Sequence, residues 1–312
     1  MAEAIGIDLG GTKIAAGVVD ELGRVVRSER MPSDLDDAAE LERAVRDLVG
    51  RLDAPDAAAV GVGAAGIVDF ESGRYLYGPN TGLRDVPMRE VVAGAVGRPV
   101  VVDNDANCAA WAEHRFGAGK GTRHFICVTL GTGVGGGIVI DGRPYRGAHG
   151  GAAEIGHMLA DPDGPLCGCG RLGCWEQFAS GRALERMARE ELGAGATGAL
   201  AAVGAGSLRG ETVTRAARDG DEVAVRIVNR LAEWIGWGFA SLVNVFDPER
   251  IAVGGGLARE WDLLADRAVR AMRERVEAPD YRPLPDIVAA ELGGEAGMVG
   301  AGWMALERLA AG

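Results

Sequence analysis

The chain has 312 residues, of which 47% are hydrophobic and 25% are charged, and its formal net charge is -12. This composition is typical of a globular protein, and the length allows one large domain or two ordinary ones. Nucleic acids and anionic membranes bind basic surfaces. The acidity of this chain therefore excludes both as main partners. We see neither a signal peptide nor an apolar run of about 18 residues, and we therefore expect a cytoplasmic protein.

Short apolar runs separated by glycine turns fill the first third of the chain. The turn Gly10-Gly11-Thr12 separates two of these runs, which predicts a β-hairpin. Leu41, Val45 and Leu48 share the spacing of one helix face. The strands predicted here are 4–8, 14–19, 25–30, 58–64 and 99–102, and the predicted helices are 36–52 and 106–116.

The hairpin pattern occurs a second time, over 125–140. The first copy reads "GIDLGGTKIAAGVVDELG" and the second reads "CVTLGTGVGGGIVIDG", with its turn at Gly131-Thr132-Gly133. Two copies of one pattern predict two similar α/β halves. The later part is mainly helical, with helices predicted at 181–192, 212–219, 221–246, 262–277 and 295–310, and a strand at 250–253 that ends in Gly254-Gly255-Gly256.

The glycine turns are candidate phosphate-binding loops. Backbone N–H groups in such a turn can converge on an anion, and glycine lets the chain approach a phosphate without a Cβ atom in the way. "DLGGTK" adds an acid, Asp8, and a cation, Lys13, to the first turn. Each turn alone is as well explained as an ordinary hairpin. Two copies together with the third glycine run favour a nucleotide-binding cleft.

Acidic and amide residues at a predicted strand end are candidates for proton transfer. "DNDAN" places Asp103, Asn104 and Asp105 between a strand and a helix, where ligands of α/β sheets tend to lie. A carboxylate there could accept the proton of a hydroxyl that attacks a phosphate. The alternative is that Asp103 or Asp105 only caps the following helix.

Three of the chain's five cysteines fall within eight residues, in "HMLADPDGPLCGCGRLGCWEQ". Thiols stay reduced in the cytoplasm, so clustered cysteines favour metal binding or catalysis over disulfides. One histidine and three cysteines make a closed tetrahedral set, which is typical of structural zinc. The predicted ligands are His157, Cys167, Cys169 and Cys174, with a metal-free thiol cluster as the alternative.

Four stretches of the sequence resemble motifs of a known superfamily and of one family within it. "IGIDLGGTKIAAGVVD" resembles the first phosphate motif of the sugar kinase, Hsp70 and actin superfamily. "VVVDNDANCAAWAEHRFGAG", "LGTGVGGGIVIDG" and "GAAEIGHMLADPDGPLCGCGRLGCWEQFASG" resemble the motifs of the ROK family (repressors, open reading frames and kinases). The resemblance extends from Ile5 to about Gly302. Within the family the sequence is most similar to the ATP-dependent glucokinases of bacteria, especially the actinobacterial type.

The resemblance implies a two-domain α/β fold of the actin-like ATPase type, with ribonuclease H-like halves on either side of a cleft. We expect a small domain over 1–110, to which a C-terminal helix at 297–312 returns. A large domain over 111–296 would carry the zinc site. Sugar binding is expected to close the domains and exclude water, which otherwise competes as phosphoryl acceptor.

The resemblance also assigns an activity, the transfer of the γ-phosphate of MgATP to the 6-hydroxyl of glucose. Asp105 would be the catalytic base, Asp8 would lie near Mg²⁺, and the glycine turns would bind ATP. Taken singly, Glu154 and Glu176 are ordinary surface charges, whereas "EIGH" matches the family's sugar-binding pattern. The expected glucose-binding residues are Asn80, Asn104, Asp105, Glu154, His157 and Glu176. The expected ATP-binding residues are Asp8, Gly10, Gly11, Thr12, Lys13, Gly131, Thr132, Gly133, Gly254, Gly255 and Gly256.

One residue departs from the family pattern, and several readings stay open. Leu83 occupies a position where the sugar loop usually has tryptophan, which leaves the fine hexose selectivity unsettled. The main alternative is a kinase for N-acetylmannosamine, N-acetylglucosamine or fructose. A sugar-responsive regulator would need a DNA-binding domain before the first phosphate motif, and a structural actin-like ATPase would not need "EIGH" and "CGCGRLGC" together. The resemblance implies a homodimer or homotetramer, but the residues themselves do not specify an oligomer.

Overall fold

The computed structural model describes residues 2–11, 13–33, 35–78, 81–203 and 208–311. Within these ranges the chain forms two compact units. The first unit consists of Met1–Cys127, Gly136–Ala153 and Ala290–Gly312, and the second consists of Val128–Gly135 and Glu154–Ala289.

The secondary structure elements follow one another in this order. The strands are β1 (Glu3–Leu9), β2 (Lys13–Asp20), β3 (Val25–Pro32), β4 (Ala59–Ala64), β5 (Ile67–Asp69), β6 (Arg74–Tyr77), β7 (Arg84–Val86), β8 (Val100–Asn104), β9 (Phe125–Leu130), β10 (Val134–Ile140), β11 (Arg143–Pro144), β12 (Arg250–Gly254) and β13 (Asp286–Ala289). The helices are α1 (Ala38–Leu52), α2 (Met88–Val96), α3 (Asp105–Phe116), α4 (Glu176–Ala179), α5 (Gly181–Gly193), α6 (Ala199–Ala202), α7 (Gly210–Arg218), α8 (Glu222–Phe246), α9 (Trp261–Arg273) and α10 (Ala296–Ala311). Short 3-10 turns occupy Ile155–His157, Gly256–Glu260 and Gly293–Glu295.

Every strand and helix predicted from the sequence is present, with end points that differ by four residues or fewer. The prediction missed the small antiparallel sheet β5-β6-β7 and the helix α2 that follows it. These strands are three or four residues long and rich in charged and turn residues. So short a run carries too little hydrophobic periodicity to identify a strand.

The main sheet of the first unit has the order β3-β2-β1-β4-β8. β1 pairs antiparallel with β2 and parallel with β4, and β4 pairs parallel with β8. Alternate residues of β1 face opposite sides of the sheet. Ile5 and Ile7 belong to a buried core shared with α1 and α2, whereas Ala4 and Gly6 face α10.

Helix α10 packs against β1 and β4 at backbone contact distance. A Cβ atom on Gly6 would lie 1.9 Å from the carbonyl oxygen of Met298, and one on Gly61 would lie 1.8 Å from that of Ala301. Such distances leave no space for any side chain. The glycines of β1 and β4 therefore seat α10 directly on the sheet, beside α3.

In the second unit, the long helix α8 packs against α4, α5, α7 and α9. The side chain of Asp221 caps its N-terminus by accepting hydrogen bonds from Val223 N and Ala224 N. Apart from these helices, another five-stranded sheet of the chain has the order β11-β10-β9-β12-β13, and β12 and β13 run parallel. Among the described residues, no helix combines the length and the apolar character needed to cross a membrane.

Candidate active site and metal centre

The parallel strands of the first unit bring the predicted acidic residues to one edge of the sheet. Asp8 of β1 is in register with Gly63 of β4, and Gly63 is in register with Asp103 of β8. Asn104 ends β8, and Asp105 begins α3 directly after it. Gly297, in the first turn of α10, lies on the same side, because a Cβ atom there would be 3.5 Å from the carboxyl carbon of Asp8.

Two of the carboxyl groups at this edge, those of Asp8 and Asp105, have raised pKa values. Burial, followed by the charge of Asp105, raises the pKa of Asp8 to about 6, and the nearby Lys13 opposes the shift. Burial among protein atoms raises the pKa of Asp105 as well, while a hydrogen bond from Ala106 N acts to lower it. Part of the surface of Asp105 stays accessible to solvent. A reachable carboxylate with a raised pKa is a suitable proton acceptor near neutral pH.

The residues next to Asp105 fix the start of α3. Asn104 caps the helix, because its Oδ1 accepts hydrogen bonds from Ala106 N at 2.8 Å and Asn107 N at 3.0 Å. Its Nδ2 donates to the carbonyl oxygen of Gly66 at 2.9 Å. The capping role that the sequence left open for Asp103 or Asp105 therefore belongs to Asn104, and neither acidic side chain is used as the cap.

Asp103 is almost fully buried and has its own set of donors. Its carboxylate accepts hydrogen bonds from Asn104 N at 2.8 Å and Asn107 Nδ2 at 3.1 Å. Arg146 Nε donates to it at 2.6 Å. Two of these donors belong to β8 and α3, so Asp103 joins the strand end to the helix that carries Asp105.

The first glycine turn is closed by a hydrogen bond from Gly10 N to Lys13 O at 3.1 Å. Gly11 is partly exposed in the turn, and Lys13 is exposed at the start of β2. The predicted ligands Thr12 and Asn80 lie outside the described residues. Leu83 is fully buried in the core of the first unit, so this side chain serves packing.

The second unit contains a cavity of about 590 Å³. The predicted residues Gly131, Thr132 and Gly256 contribute to its lining. The lining residues are Gly131, Thr132, Gly181, Arg182, Glu185, Arg209, Gly210, Glu211, Thr214, Gly256, Leu257, Arg259 and Glu260. A cavity of this size can hold a nucleotide-sized ligand.

At two other glycines of the predicted nucleotide-binding turns, the structure leaves no space for a side chain. Gly255 has φ +82°, and a Cβ atom there would lie 2.5 Å from the carbonyl oxygen of Leu130. A Cβ atom on Gly133 would lie 2.5 Å from Glu176 Oε2. Gly133 also accepts the hydrogen bond from Gly131 N that closes the second turn, at 2.9 Å. Gly254 ends β12 immediately before this run.

Sequence reasoning missed the charged residues that line the cavity. Arg182 lies in the first turn of α5, while Arg209 and Glu211 lie at the start of α7. Nothing in their local pattern distinguishes them from solvated helix residues. The one usable signal was Ser180-Gly181, since Ser180 Oγ caps α5 and Gly181 N donates to Gly131 O at 2.8 Å.

The four predicted metal ligands form one cluster. The donor atoms of His157, Cys167, Cys169 and Cys174 all lie within 4.8 Å of one another. The Sγ atoms of Cys169 and Cys174 are 3.6 Å apart, and His157 Nδ1 is 3.7 Å from Cys167 Sγ. Sulfurs on a tetrahedral zinc are about 3.8 Å apart for Zn–S bonds near 2.3 Å. The donor set and its spacing therefore fit a zinc ion.

Glycines give the loop around this cluster its tight turns. Gly170 has φ +85°, and its N–H donates to the carbonyl oxygen of Cys167 at 2.9 Å. A Cβ atom on Gly173 would lie 1.5 Å from the carbonyl oxygen of Asp161. The loop therefore depends on glycine next to two of the cysteines.

The predicted sugar-binding carboxylates flank the metal cluster. Cys167 Sγ donates to Glu176 Oε1 at 2.9 Å, and Val134 N donates to Glu176 Oε2 at 3.4 Å. Nε2 of His157 is 3.9 Å from Glu154 Oε2. Because His157 turns Nδ1 toward the thiols, its other nitrogen remains available to a second polar group. The structure thus brings Glu154, His157 and Glu176 to one cluster of the second unit.

Comparison with known proteins identifies relatives along nearly the whole chain. A sequence model of the ROK family matches residues 4–308. The glucokinase of Streptomyces coelicolor is 46% identical over 312 residues, covering 98% of each chain. A crystal structure of a ROK family glucokinase from Streptomyces griseus in complex with glucose and AMPPNP has a TM-score of 0.89 and 45% identity, and covers 98% of this chain and 100% of that one. A ROK hexokinase from Thermus thermophilus has a TM-score of 0.80 and 36% identity, covering 99% and 100%.

Proposed function

The chain belongs to the ROK family, and we propose that it is an ATP-dependent glucokinase with the actin-like ATPase fold of ROK sugar kinases. It transfers the γ-phosphate of MgATP to the 6-hydroxyl of glucose and releases glucose 6-phosphate and ADP. The observation that carries this proposal is the full-length likeness to glucokinases, one of them solved with glucose and an ATP analogue.

Asp105 is the catalytic base in this proposal. As the 6-oxygen of glucose attacks the γ-phosphorus, the new P–O bond forms and the bond to the β-phosphate oxygen breaks. The hydroxyl proton passes to the carboxylate of Asp105, and ADP leaves. The raised pKa of Asp105 and its fixed position at the start of α3 support this role, because a base works best when its pKa approaches the operating pH.

The phosphate and nucleotide contacts are assigned to the glycine turns and to the cavity of the second unit. Gly10, Gly11, Thr12 and Lys13 would bind phosphate oxygens, and Asp8 would lie near Mg²⁺. Magnesium supplies charge neutralisation on the transferring phosphate when it is bound. Gly131, Thr132 and Gly133, together with Gly254, Gly255 and Gly256, would bind the nucleotide. Three of these glycine-turn residues line the 590 Å³ cavity, which supports the assignment.

Glucose hydroxyls are assigned to polar side chains with fixed directions. The residues assigned to glucose are Asn80, Asn104, Glu154, His157 and Glu176. The hydrogen bonds that hold Asn104 and Glu176 support this assignment, since a preorganised side chain loses little freedom on binding. Zinc held by His157, Cys167, Cys169 and Cys174 would be structural. It would fix the loop from which Glu154 and Glu176 project, and His157 would donate its remaining N–H to a sugar hydroxyl.

The remaining assignments concern the state of the protein in the cell. We propose the domain division at 1–110 and 111–296, with the helix at 297–312 joined to the former. A cytoplasmic homodimer or homotetramer acting on glucose and ATP is the expected working form. The net charge of -12 argues against nucleic acid as a partner.

A coupled ADP-release assay across a panel of hexoses tests the proposal. Glucose should give the highest kcat/KM among glucose, fructose, N-acetylglucosamine and N-acetylmannosamine, and mass spectrometry should find glucose 6-phosphate as the product. Polyphosphate in place of ATP forms a second arm of the assay, in which little product is expected. A higher kcat/KM for an acetamido sugar than for glucose would show that glucose is not the preferred substrate. Absence of turnover on every hexose would overturn the proposal that the protein is a sugar kinase.

A further inference from the structure

We propose that Arg146 is a positioning residue for the catalytic base, acting through Asp103. The inference rests on the proposed function, because it concerns the reaction in which Asp105 accepts a proton. It concerns only residues of the first unit.

Arg146 supplies the one cation that contacts the buried carboxylate of Asp103 within the part of the chain that the structure describes. Its Nε donates to Asp103 Oδ2 at 2.6 Å, while Asp103 is only 2% exposed. A carboxylate this deeply buried is unfavourable unless it is paired and hydrogen-bonded. Arg146 therefore supplies the positive charge that pairs with the buried carboxylate of Asp103.

The guanidinium of Arg146 is itself held in one orientation. Its central carbon lies 3.8 Å from the centroid of the Phe70 ring. Nη2 approaches the sulfur of Met304 in α10 at 3.8 Å. The side chain is only 19% exposed. The Phe70 ring lies on the face of the planar guanidinium, and the Asp103 carboxylate lies at its edge. Such a contact is directional, unlike an ion pair between two flexible side chains on the surface.

The effect reaches Asp105 through the backbone. Asp103 Oδ1 accepts from the N–H of Asn104 and from the side chain of Asn107 in the first turn of α3. Asn104 in turn caps that helix. Loss of Arg146 would leave Asp103 charged and unpaired, so this carboxylate would turn toward water and release Asn104 and Asn107. Asp105 lies between these two residues, and a misplacement of about 1 Å near the reacting atoms can cost about 10²-fold in rate.

The main test is Arg146→Met, which keeps the length of the side chain and removes its donors. Measured per folded molecule, well below the melting temperature, kcat for glucose phosphorylation should fall at least about 10-fold. KM for ATP should stay within about threefold, because Arg146 contacts no nucleotide in this scheme, whereas KM for glucose should rise, since the displaced Asn104 is a proposed glucose ligand. Arg146→Lys restores a charge and a donor, and its kcat should exceed that of the methionine variant by at least about threefold. The exposed Arg143 is the matched control, and Arg143→Met should behave like wild type.

A double variant separates positioning from stability. Asp103→Asn with Arg146→Met removes the unpaired buried charge, so its melting temperature should recover toward that of wild type. Its kcat should stay low, because without the Arg146 contact on Oδ2 nothing fixes the orientation in which Oδ1 of residue 103 accepts from Asn104 N and Asn107 Nδ2. Recovery of both kcat and melting temperature would overturn the proposal, as would a kcat of Arg146→Met within twofold of wild type. A wild-type enzyme inactive on glucose would instead contradict the proposed function.

Discussion

Asp8 and Asp105 lie at the same edge of the first sheet, and burial together with the charge of Asp105 raises the pKa of Asp8 to about 6. Two carboxylates near each other cannot both ionise easily. In the ligand-free protein this pairing is unfavourable near neutral pH, whereas a cation bound with ATP would relieve it. The site is therefore less stable without its ligands than a neutral site of the same shape would be.

We expect Asp8→Asn to stabilise the ligand-free protein at pH 8 and to abolish most activity. The pKa of Asp8 is about 6 in the folded protein against an ordinary value of 3.8. Its contribution to stability is complete below the lower value and is lost as the pH rises through the higher one. Removing the charge should therefore raise the free energy of unfolding by on the order of 2 kcal/mol at pH 8.

Urea unfolding at pH 4 and at pH 8 measures this effect. The gain over wild type should be near zero at pH 4 and should appear between pH 4 and pH 7. The exposed Asp56 provides the control, since Asp56→Asn should give the same small difference at both pH values. Equal stability of Asp8→Asn and wild type at pH 8 would contradict the argument.

Asp105→Asn should retain the fold and much of the glucose affinity while kcat falls by at least about 10²-fold, the lower limit for a lost general base. Because burial raises the pKa of Asp105, the acidic limb of the wild-type kcat profile should lie above the pH expected for an ordinary aspartate. Steady-state kinetics from pH 5 to pH 9 measure both effects. A variant within threefold of the wild-type kcat would remove Asp105 from the mechanism.

Sequence patterns identified the strand edge because its signals are local. The apolar alternation around Asp8 and the strand–helix junction at Asp105 are visible within a few residues of each. The same holds for the spacing of Cys167, Cys169 and Cys174, which needs no knowledge of the fold. Such features depend on the chain's own backbone geometry and so can be predicted without tertiary contacts.

The remaining parts of the site depend on contacts between distant segments. Arg146 meets Asp103 across 43 positions of sequence, and no property of a loop arginine indicates that partner. The capping role of Asn104 was equally hidden, because neighbouring aspartates are equally good caps. Arg182 enters the cavity lining only because α5 starts beside the second glycine turn. These pairings are set by sheet order, which the sequence pattern does not specify.

Gly61→Ala should destabilise the protein strongly, because the added Cβ would meet the carbonyl oxygen of Ala301 at 1.8 Å. The helix α10 would have to move away from β4, and overpacking of this kind costs at least about 1–3 kcal/mol. Gly94→Ala in α2 is the matched control, since nothing lies within 4 Å of a Cβ atom there. That variant should gain about 0.5–1 kcal/mol from helix propensity. Urea unfolding that gave similar stabilities for the two variants would contradict the close packing.

Glu154→Ala should raise KM for glucose strongly and change KM for ATP little. Loss of a hydrogen bond to a charged group costs about 1.5–3 kcal/mol, which corresponds to about a 10- to 150-fold increase. The exposed Glu29 on β3 gives a charge-matched control, and Glu29→Ala should leave both constants unchanged. An unchanged KM for glucose in Glu154→Ala would remove this residue from the sugar site.

Cys169→Ser should remove zinc and most glucose phosphorylation while the far-UV circular dichroism remains largely native. The four donor atoms of the cluster lie within 4.8 Å of one another, so replacing one thiolate by a weakly binding hydroxyl breaks a closed shell. Activity should follow the metal, because Glu176 lies two residues after the ligand Cys174 and Nε2 of the ligand His157 lies 3.9 Å from Glu154 Oε2. Cys127→Ala is the control for loss of a cysteine elsewhere and should keep both zinc and turnover. Elemental analysis of wild type purified without chelators should find one zinc per chain, and its absence would contradict the site, as would full activity in zinc-free Cys169→Ser.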